Sequence, residues 1–267
     1  MKPGRGDAQE WTKAARAWVR FVRNGLNYYS EFLNGPVLKR MLGHLAGKTT
    51  LDIGCGEGFW SRWCAAAGAR VTAIDRSVGL IGAAQDEEAR RPLGIKYLVA
   101  DAAKLDVLDS ETFDIAFCFM AIMDIQDHEG TFSEVSRVLR PRGRFVMVLE
   151  HPCFTSGRSI DGKLVSGWET LPKAEGATDF LYYWIADYLR PHSYPCVWKH
   201  DRLKSSFVTT GYHRPLSDYI GALAKNGFVI TDLEEPQPLK QGVKVHPSMS
   251  KHYRVPQSLA ISTVKSG

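Results

Sequence analysis

Residues 51–58 read LDIGCGEG, from Leu51 to Gly58. The run Thr49–Ile53 is apolar and β-branched, which predicts a strand leading into the glycines. Behind them, Glu57–Ala67 repeats Phe59, Trp60, Trp63 and Ala67 at helical spacing, which predicts a helix. A strand that turns through glycines into a helix leaves free backbone N–H groups at the helix N-terminus. The helix dipole there favours a carboxylate or a phosphate, and glycine lets a ligand come close to the backbone. The spacing separates two ligand classes. A dinucleotide fingerprint, GxGxxG, counted from Gly54 would require its third glycine where the chain has Phe59. The sequence has GxGxG, which argues against a nicotinamide enzyme.

The same rhythm continues outward. Arg70–Asp75 (RVTAID) predicts a second strand, followed by a helix that Ser77 can cap and that runs to about Arg91, where Pro92 and Gly94 break it. Ile95–Ala100, Phe113–Phe119 (FDIAFCF) and Arg144–Glu150 (RFVMVLE) predict the third, fourth and fifth strands. A helix from about Thr131 to Leu139, stopped by Pro141 and Gly143, is expected between the last two. Strands alternating with helices in this way mean βαβ units and a parallel sheet. Burial on both faces accounts for the almost continuous apolar strands. Further on, a helix is expected at Leu216–Asn226, a strand at Phe228–Leu233 and a last strand near Ser258–Val264. Two acids close strands. Asp75 can accept two hydrogen bonds from a ribose diol, or else cap the helix after it. Asp101, in Val99-Ala100-Asp101-Ala102, can receive the amino group of an adenine.

Taken together, LDIGCGEG, the strand ending in Asp75, the strand ending in Asp101, FDIAFCFMAIMD and LRPRGRFVMVLEHP resemble the class I S-adenosylmethionine-dependent methyltransferases. The resemblance covers residues 25–151 closely and the C-terminal half loosely. It implies an α/β, Rossmann-like, seven-stranded, mostly parallel sheet of order 3-2-1-4-5-7-6, with strand seven antiparallel. It also implies roles by position. Asp52 and the backbone of Gly54, Cys55 and Gly56 would hold the methionine end of the cofactor. Asp75 would hold the ribose, with Arg76 against the adenine, and Asp101 and Ala102 would hold the adenine edge. The backbone near Phe119 and Met120 would face the sulfonium. Tyr28 or Tyr29 would close over the cofactor, whose product is S-adenosylhomocysteine.

Two segments flank the core, and the whole is expected to be a single methyltransferase domain. Residues 10–43 read as a helical lid, with Trp11, Ala15, Trp18 and Val22 along one face. Residues 44–151 form the cofactor-binding core. Residues 152–210 are rich in Gly, Pro, Ser and aromatics, among them Phe154, Trp168, Phe180, Tyr188, Tyr194 and Trp198, and read as a long, irregular, substrate-side insertion. Residues 211–267 complete the sheet. Methyl transfer from a sulfonium needs an aligned nucleophile and a dry pocket that suits a cation. An acceptor hydroxyl must also lose a proton to a base. His151 follows the fifth strand, at the carboxyl edge where open α/β sheets bind ligands, and is the first candidate. His213, before the predicted helix at Leu216, is the second. Either could instead be a structural hydrogen-bonding group, and Cys153 reads as an inert thiol.

The remaining features are mostly exclusions. Five widely spaced cysteines without a CxxC pair or a Cys/His cluster support neither a disulfide framework nor a zinc site; reduced thiols in the cytoplasm fit better. The N-terminus lacks the apolar stretch of a secretory signal, and no window approaches about 18 uncharged apolar residues, so no membrane partner is expected. The net charge of +5 is spread along the chain without a dense basic block, so no nucleic-acid partner is expected. The segment after strand four, Met120-Ala121-Ile122-Met123-Asp124, lacks the Asn/Asp-Pro-Pro-Tyr pattern of enzymes that methylate base or glutamine nitrogens. The expected acceptor is a small aromatic or hydrophobic metabolite, methylated at oxygen ahead of nitrogen or carbon. An RNA or protein methyltransferase and a catalytically silent S-adenosylmethionine-binding module remain as alternatives.

Overall fold

The computed structural model describes residues 6–155, 158–172, 178–200 and 205–267. Helix α1 (Gly6–Arg23), a π-helical turn (Ser30–Asn34) and α2 (Gly35–Leu42) precede the first strand. Then come β1 (Thr49–Ile53), α3 (Phe59–Ala66), β2 (Arg70–Asp75), α4 (Val78–Arg90), β3 (Lys96–Val99), β4 (Phe113–Phe119), α5 (His128–Val138) and β5 (Leu139–Glu150). Six short strands follow: β6 (Ser159–Ile160), β7 (Lys163–Leu164), β8 (Ser166–Pro172), β9 (Thr178–Ile185), β10 (His192–His200) and β11 (Ser205–His213). The chain ends with α6 (Leu216–Lys225), β12 (Phe228–Glu234), α7 (Lys240–Val245) and β13 (Ser258–Lys265).

Seven of these strands make one sheet in the order β3-β2-β1-β4-β5-β13-β12. The strands β1 to β5 are mutually parallel, and β13 runs antiparallel to both β5 and β12. With β12 and β13 as strands six and seven, this is the expected 3-2-1-4-5-7-6 arrangement. Side chains alternate across β5: Phe145, Met147 and Leu149 face a core shared with α5 and α6, while Val146 and Val148 face one shared with α2, α3 and α4. Strand order reverses between β1 and β4, the later strands being added on the opposite side of β1 from β2 and β3, and the crevice outside the carboxyl ends at such a switch point is the usual ligand position in these sheets.

Three expectations about elements need correcting. Residues 152–210 are not irregular: their described part folds as the antiparallel hairpins β6–β7, β8–β9 and β10–β11. In β10, Tyr194, Cys196 and Trp198 turn inward while Pro195 and Val197 face out, a period-two pattern masked by the proline and the aromatics. Pro195 is tolerated because a two-stranded ribbon leaves one side of each strand unpaired. The side chains of Phe180 and His200 lie outside the described residues. Second, α5 begins at His128, capped by Asp127 through the Gly130 amide at 2.8 Å, and β5 starts immediately after it. Pro141 and Gly143 therefore lie in the strand rather than ending the helix. Third, α3 starts at Phe59, because Gly58 sits at φ +83°, a left-handed conformation that cannot belong to the helix.

Candidate active site

A cavity of about 670 Å³ opens at the carboxyl ends of β1, β2, β4 and β5. Its floor is the glycine turn. Gly54 has φ +69°, and a β-carbon there would lie 2.5 Å from the β-carbon of Ala121, so only glycine lets the loops after β1 and β4 pass this closely. Asp52, at the end of β1, is buried and accepts a hydrogen bond from Ser61 Oγ at 2.5 Å. Burial raises its carboxyl to about 7, the Ser61 hydroxyl opposes that rise, and nearby Asp75 adds to it. Asp75 accepts the amides of Gly56 (2.9 Å) and Ser77 (2.8 Å), one on each oxygen. It thus ties the glycine turn to the start of α4 and keeps lone pairs for a ligand. Burial raises its carboxyl above the usual range, and the amide donors hold it back. Ser77, not Asp75, caps α4, accepting the Leu80 amide at 3.2 Å.

Along the next edge, Asp101 and Arg76 line the cavity 3.6 Å apart, both partly exposed, with Ala102 beside them. Phe119 and Met120 close β4 on the opposite side. Met120 has φ +52°, a conformation uncommon outside glycine and worth notice at a ligand site. Its amide donates to Val148 O at 2.7 Å, and its sulfur accepts from Asn34 Nδ2 at 3.4 Å. Asn34 is buried at the end of the π-helical turn, a form that tends to occur at functional sites. Tyr29, at the start of that turn, also lines the cavity. Its hydroxyl donates to His252 Nε2 at 3.3 Å, while His252 Nδ1 donates to Val255 O at 3.1 Å. Burial lowers His252 to about 4, which keeps that tautomer neutral. Tyr28 turns away and packs on His246, with ring centroids 5.3 Å apart.

The far wall is aromatic. Trp11, Trp18 and Phe21 of α1 and Trp198 of β10 line it, with Trp18 and Trp198 edge to face at 5.2 Å. Trp18 also reaches the glycine turn: a β-carbon on Gly56 would lie 3.6 Å from its Nε1. The helix is fastened at three points. Glu10 accepts the amide (2.9 Å) and hydroxyl (3.2 Å) of Thr210 in β11. The hydroxyls of Thr12 and Ser77 meet at 3.1 Å, and Arg23 pairs with buried Glu57 at 3.0 Å. At the carboxyl end of β5, Glu150 and, next to the start of β13, Gln257 complete the lining.

The two histidines expected as bases do not line the cavity. His151 is buried, is not part of the cavity wall and has both ring nitrogens engaged. Its Nδ1 accepts the Cys153 amide at 3.2 Å and its Nε2 donates to Glu235 at 2.9 Å. It organises the turn that leads out of β5. His213 is likewise absent from the wall. Its Nε2 donates to Tyr188 O at 2.7 Å and its Nδ1 meets the Arg158 guanidinium. Burial, helped by the charge of Arg158, lowers it to about 4. Cys153 is a half-buried thiol beside Tyr188. The sequence reading passed over Asn34, Gln257 and Glu150. Glu150 was the legible one, adjacent to His151 at a strand end.

A family model described as "Methyltransferase domain" matches residues 51–147. Over 100 residues the chain is 36% identical to the ubiquinone biosynthesis O-methyltransferase of Aromatoleum aromaticum, covering 38% of this chain and 43% of that one. Over 110 residues it is 35% identical to the malonyl-[acyl-carrier protein] O-methyltransferase of Pseudescherichia vulneris, covering 41% and 42%. The chain thus spans about two-fifths of the curated relatives it matches. A solved S-adenosylmethionine-dependent methyltransferase from Mesorhizobium loti superposes with a TM-score of 0.66 at 29% identity, covering 86% of this chain and 96% of that one. The methyltransferase domain at residues 51–147 and the sheet are those of the class I, Rossmann-like S-adenosylmethionine-dependent methyltransferases, which points to S-adenosylmethionine as the cofactor. The residues present fit that molecule. Acids suited to an ammonium, a ribose diol and an amino group stand at or just past the ends of three successive strands, above a glycine-rich turn that feeds the uncapped N-terminus of α3.

Proposed function

We propose that the chain transfers the methyl group of S-adenosylmethionine to a hydroxyl oxygen of a small aromatic or apolar acceptor. The observation that carries this reading is the single cavity in which the acid-lined glycine turn faces a wall of Trp11, Trp18, Phe21 and Trp198. In that reading Asp52 and the backbone at Gly54–Gly56 hold the methionine end, Asp75 the ribose, and Asp101, Ala102 and Arg76 the adenine, with Tyr29 and Asn34 closing the site. The cofactor supplies an electrophilic methyl group on a sulfonium. The protein aligns the acceptor behind it and keeps water out. Residues 10–43 and 152–210 form the acceptor side of one methyltransferase domain, because the wall is built from α1 and β10. The O-methyltransferases among the relatives support oxygen as the methylated atom. Five unpaired cysteines support the cytoplasm as its compartment, and no helix among the described residues is long and apolar enough to cross a membrane.

The test is to incubate the protein with S-adenosylmethionine and a panel of phenols, aliphatic alcohols, amines and carboxylic acids, following S-adenosylhomocysteine and product mass. The expected result is turnover of a phenol with a mass gain of one CH2. Tight cofactor binding without turnover of any panel member would instead describe a silent binding module.

A further inference from the structure

We propose that Glu150 is the group that contacts the acceptor and takes its proton, and that the acceptor is therefore a neutral phenol rather than a carboxylic acid. This rests on the methyltransferase reading above. Glu150 ends β5 beside the end of β4, with Phe119 and Val148 in register and the Met120 amide on Val148 O. It therefore lies on the Phe119–Met120 side of the cavity, across β4 from the Asp75 and Asp101 edge. One of its oxygens accepts a bond from Tyr194 Oη at 3.4 Å. The neighbouring wall offers acceptors. Asp124 lines it, and Gln257 also lines it, with its buried Oε1 lacking a hydrogen-bond partner among the described residues. The cationic residues of the lining are Lys39, set over Trp60 and Trp63, and Arg76, beside Asp101. The first already sits over two indole rings and the second beside a carboxylate. A carboxylate acceptor would there meet the half-buried carboxylate of Glu150, with Asp124 nearby, whereas a hydroxyl would bring a donor to Glu150 and to the unpartnered Gln257 Oε1. The ring bearing that hydroxyl would lie among the aromatic side chains of α1 and β10.

The transfer balances on these groups. The acceptor oxygen forms the new C–O bond while the methyl C–S bond breaks and leaves its electron pair on sulfur. The phenolic proton passes to Glu150, and the neutral carboxylic acid then returns it to water. Burial raises the Glu150 carboxyl above the usual range; the Tyr194 hydroxyl and the charge of Arg158 oppose that rise, and Asp124 shares the same surroundings through Tyr194 and Cys196. A raised carboxyl is a stronger proton acceptor.

The experiment uses the full chain saturated with S-adenosylhomocysteine, with tryptophan fluorescence reporting titration by 4-cyanophenol, its methyl ether and 4-cyanobenzoate. The expected order is phenol about tenfold or more ahead of the ether, with the benzoate weakest, since a hydrogen bond to a charged group carries that much discrimination. Glu150→Gln should bind S-adenosylhomocysteine normally, which shows that it is folded, and should lose the preference for the phenol over the ether. Phenol affinity of the wild type should weaken as pH falls through the Glu150 titration, and that trend should vanish in the variant. If the wild type binds the benzoate as well as the phenol, or binds none of the three, the acceptor class is overturned. If E150Q keeps the preference, the role of Glu150 is overturned. Failure to bind S-adenosylhomocysteine at all would sink the methyltransferase reading instead. Because the wild-type comparison decides the acceptor class alone, the proposal stays testable if E150Q does not fold.

Discussion

At the scale of single residues, the cofactor side depends on carboxylates held out of water. Asp52 is the extreme case, with its carboxyl raised to about 7 chiefly by burial. A group whose pKa is raised on folding contributes stability that is complete below its unfolded pKa and is lost as pH rises through the folded one. For Asp52 the loss falls between roughly pH 4 and 7, at up to about 1.4 kcal/mol per pH unit. Asp52→Asn should therefore gain on the wild type in urea unfolding at pH 8 relative to pH 5, without ligand. Binding has the opposite sign. An ammonium held by Asp52 needs the carboxylate, so S-adenosylhomocysteine affinity should weaken below about pH 7, as calorimetry in two buffers would show through proton release. Equal pH dependence in D52N and wild type would refute this role.

At the scale of elements, α1 roofs the cavity because an amphipathic stripe of Trp11, Trp18 and Phe21 meets a hairpin face of the same character, with Trp11 also against Phe207 at 6.1 Å. Aromatic contacts of this kind are individually modest, so the two Glu10 bonds to Thr210 matter. Glu10→Ala should loosen the roof by about 1–2 kcal/mol, read as roughly tenfold faster hydrogen exchange of α1 amides with the sheet core unchanged. S-adenosylhomocysteine should dissociate faster from this variant. Unchanged exchange in α1 would show that the aromatic contacts suffice without Glu10. The hairpins of residues 152–210 show why this part was hard to read: among the described residues their strands pair only with each other, and the inward face of β10–β11 is set by α1 rather than by a central core.

At the scale of the whole molecule, the ligand crevice draws on segments from both ends of the chain, so ligand binding should stabilise the protein as a unit. S-adenosylhomocysteine at a hundred times its dissociation constant should add about 2.7 kcal/mol, a rise in Tm of about 5–10 °C for a domain of this size. Asp75→Ala at the same ligand concentration should lose most of that rise, because it removes the proposed ribose acceptor and the tie between Gly56 and Ser77. A full thermal shift in D75A would refute the assignment of Asp75.

From sequence alone the alternating strands and helices of a parallel sheet were legible, because they rest on local signals: apolar strands buried on both faces, glycines at fixed positions, and acids ending successive strands; the strand order came from the family resemblance that those residues carry. Asp52 and Asp75 lie at the ends of β1 and β2 and Asp101 just past β3, all on the cavity wall, since a strand end fixes a side chain's place without help from distant residues. The acceptor side was decided by tertiary structure. His151 and His213 have the right chemistry at promising positions, yet burial and their own hydrogen-bond partners place them behind the wall. Of the neighbours Glu150 and His151, only the glutamate faces the cavity, because successive residues of a strand point to opposite sides. Which side faces the ligand depended on how α1, β10 and β13 close around the end of β5, from parts of the chain far apart in sequence.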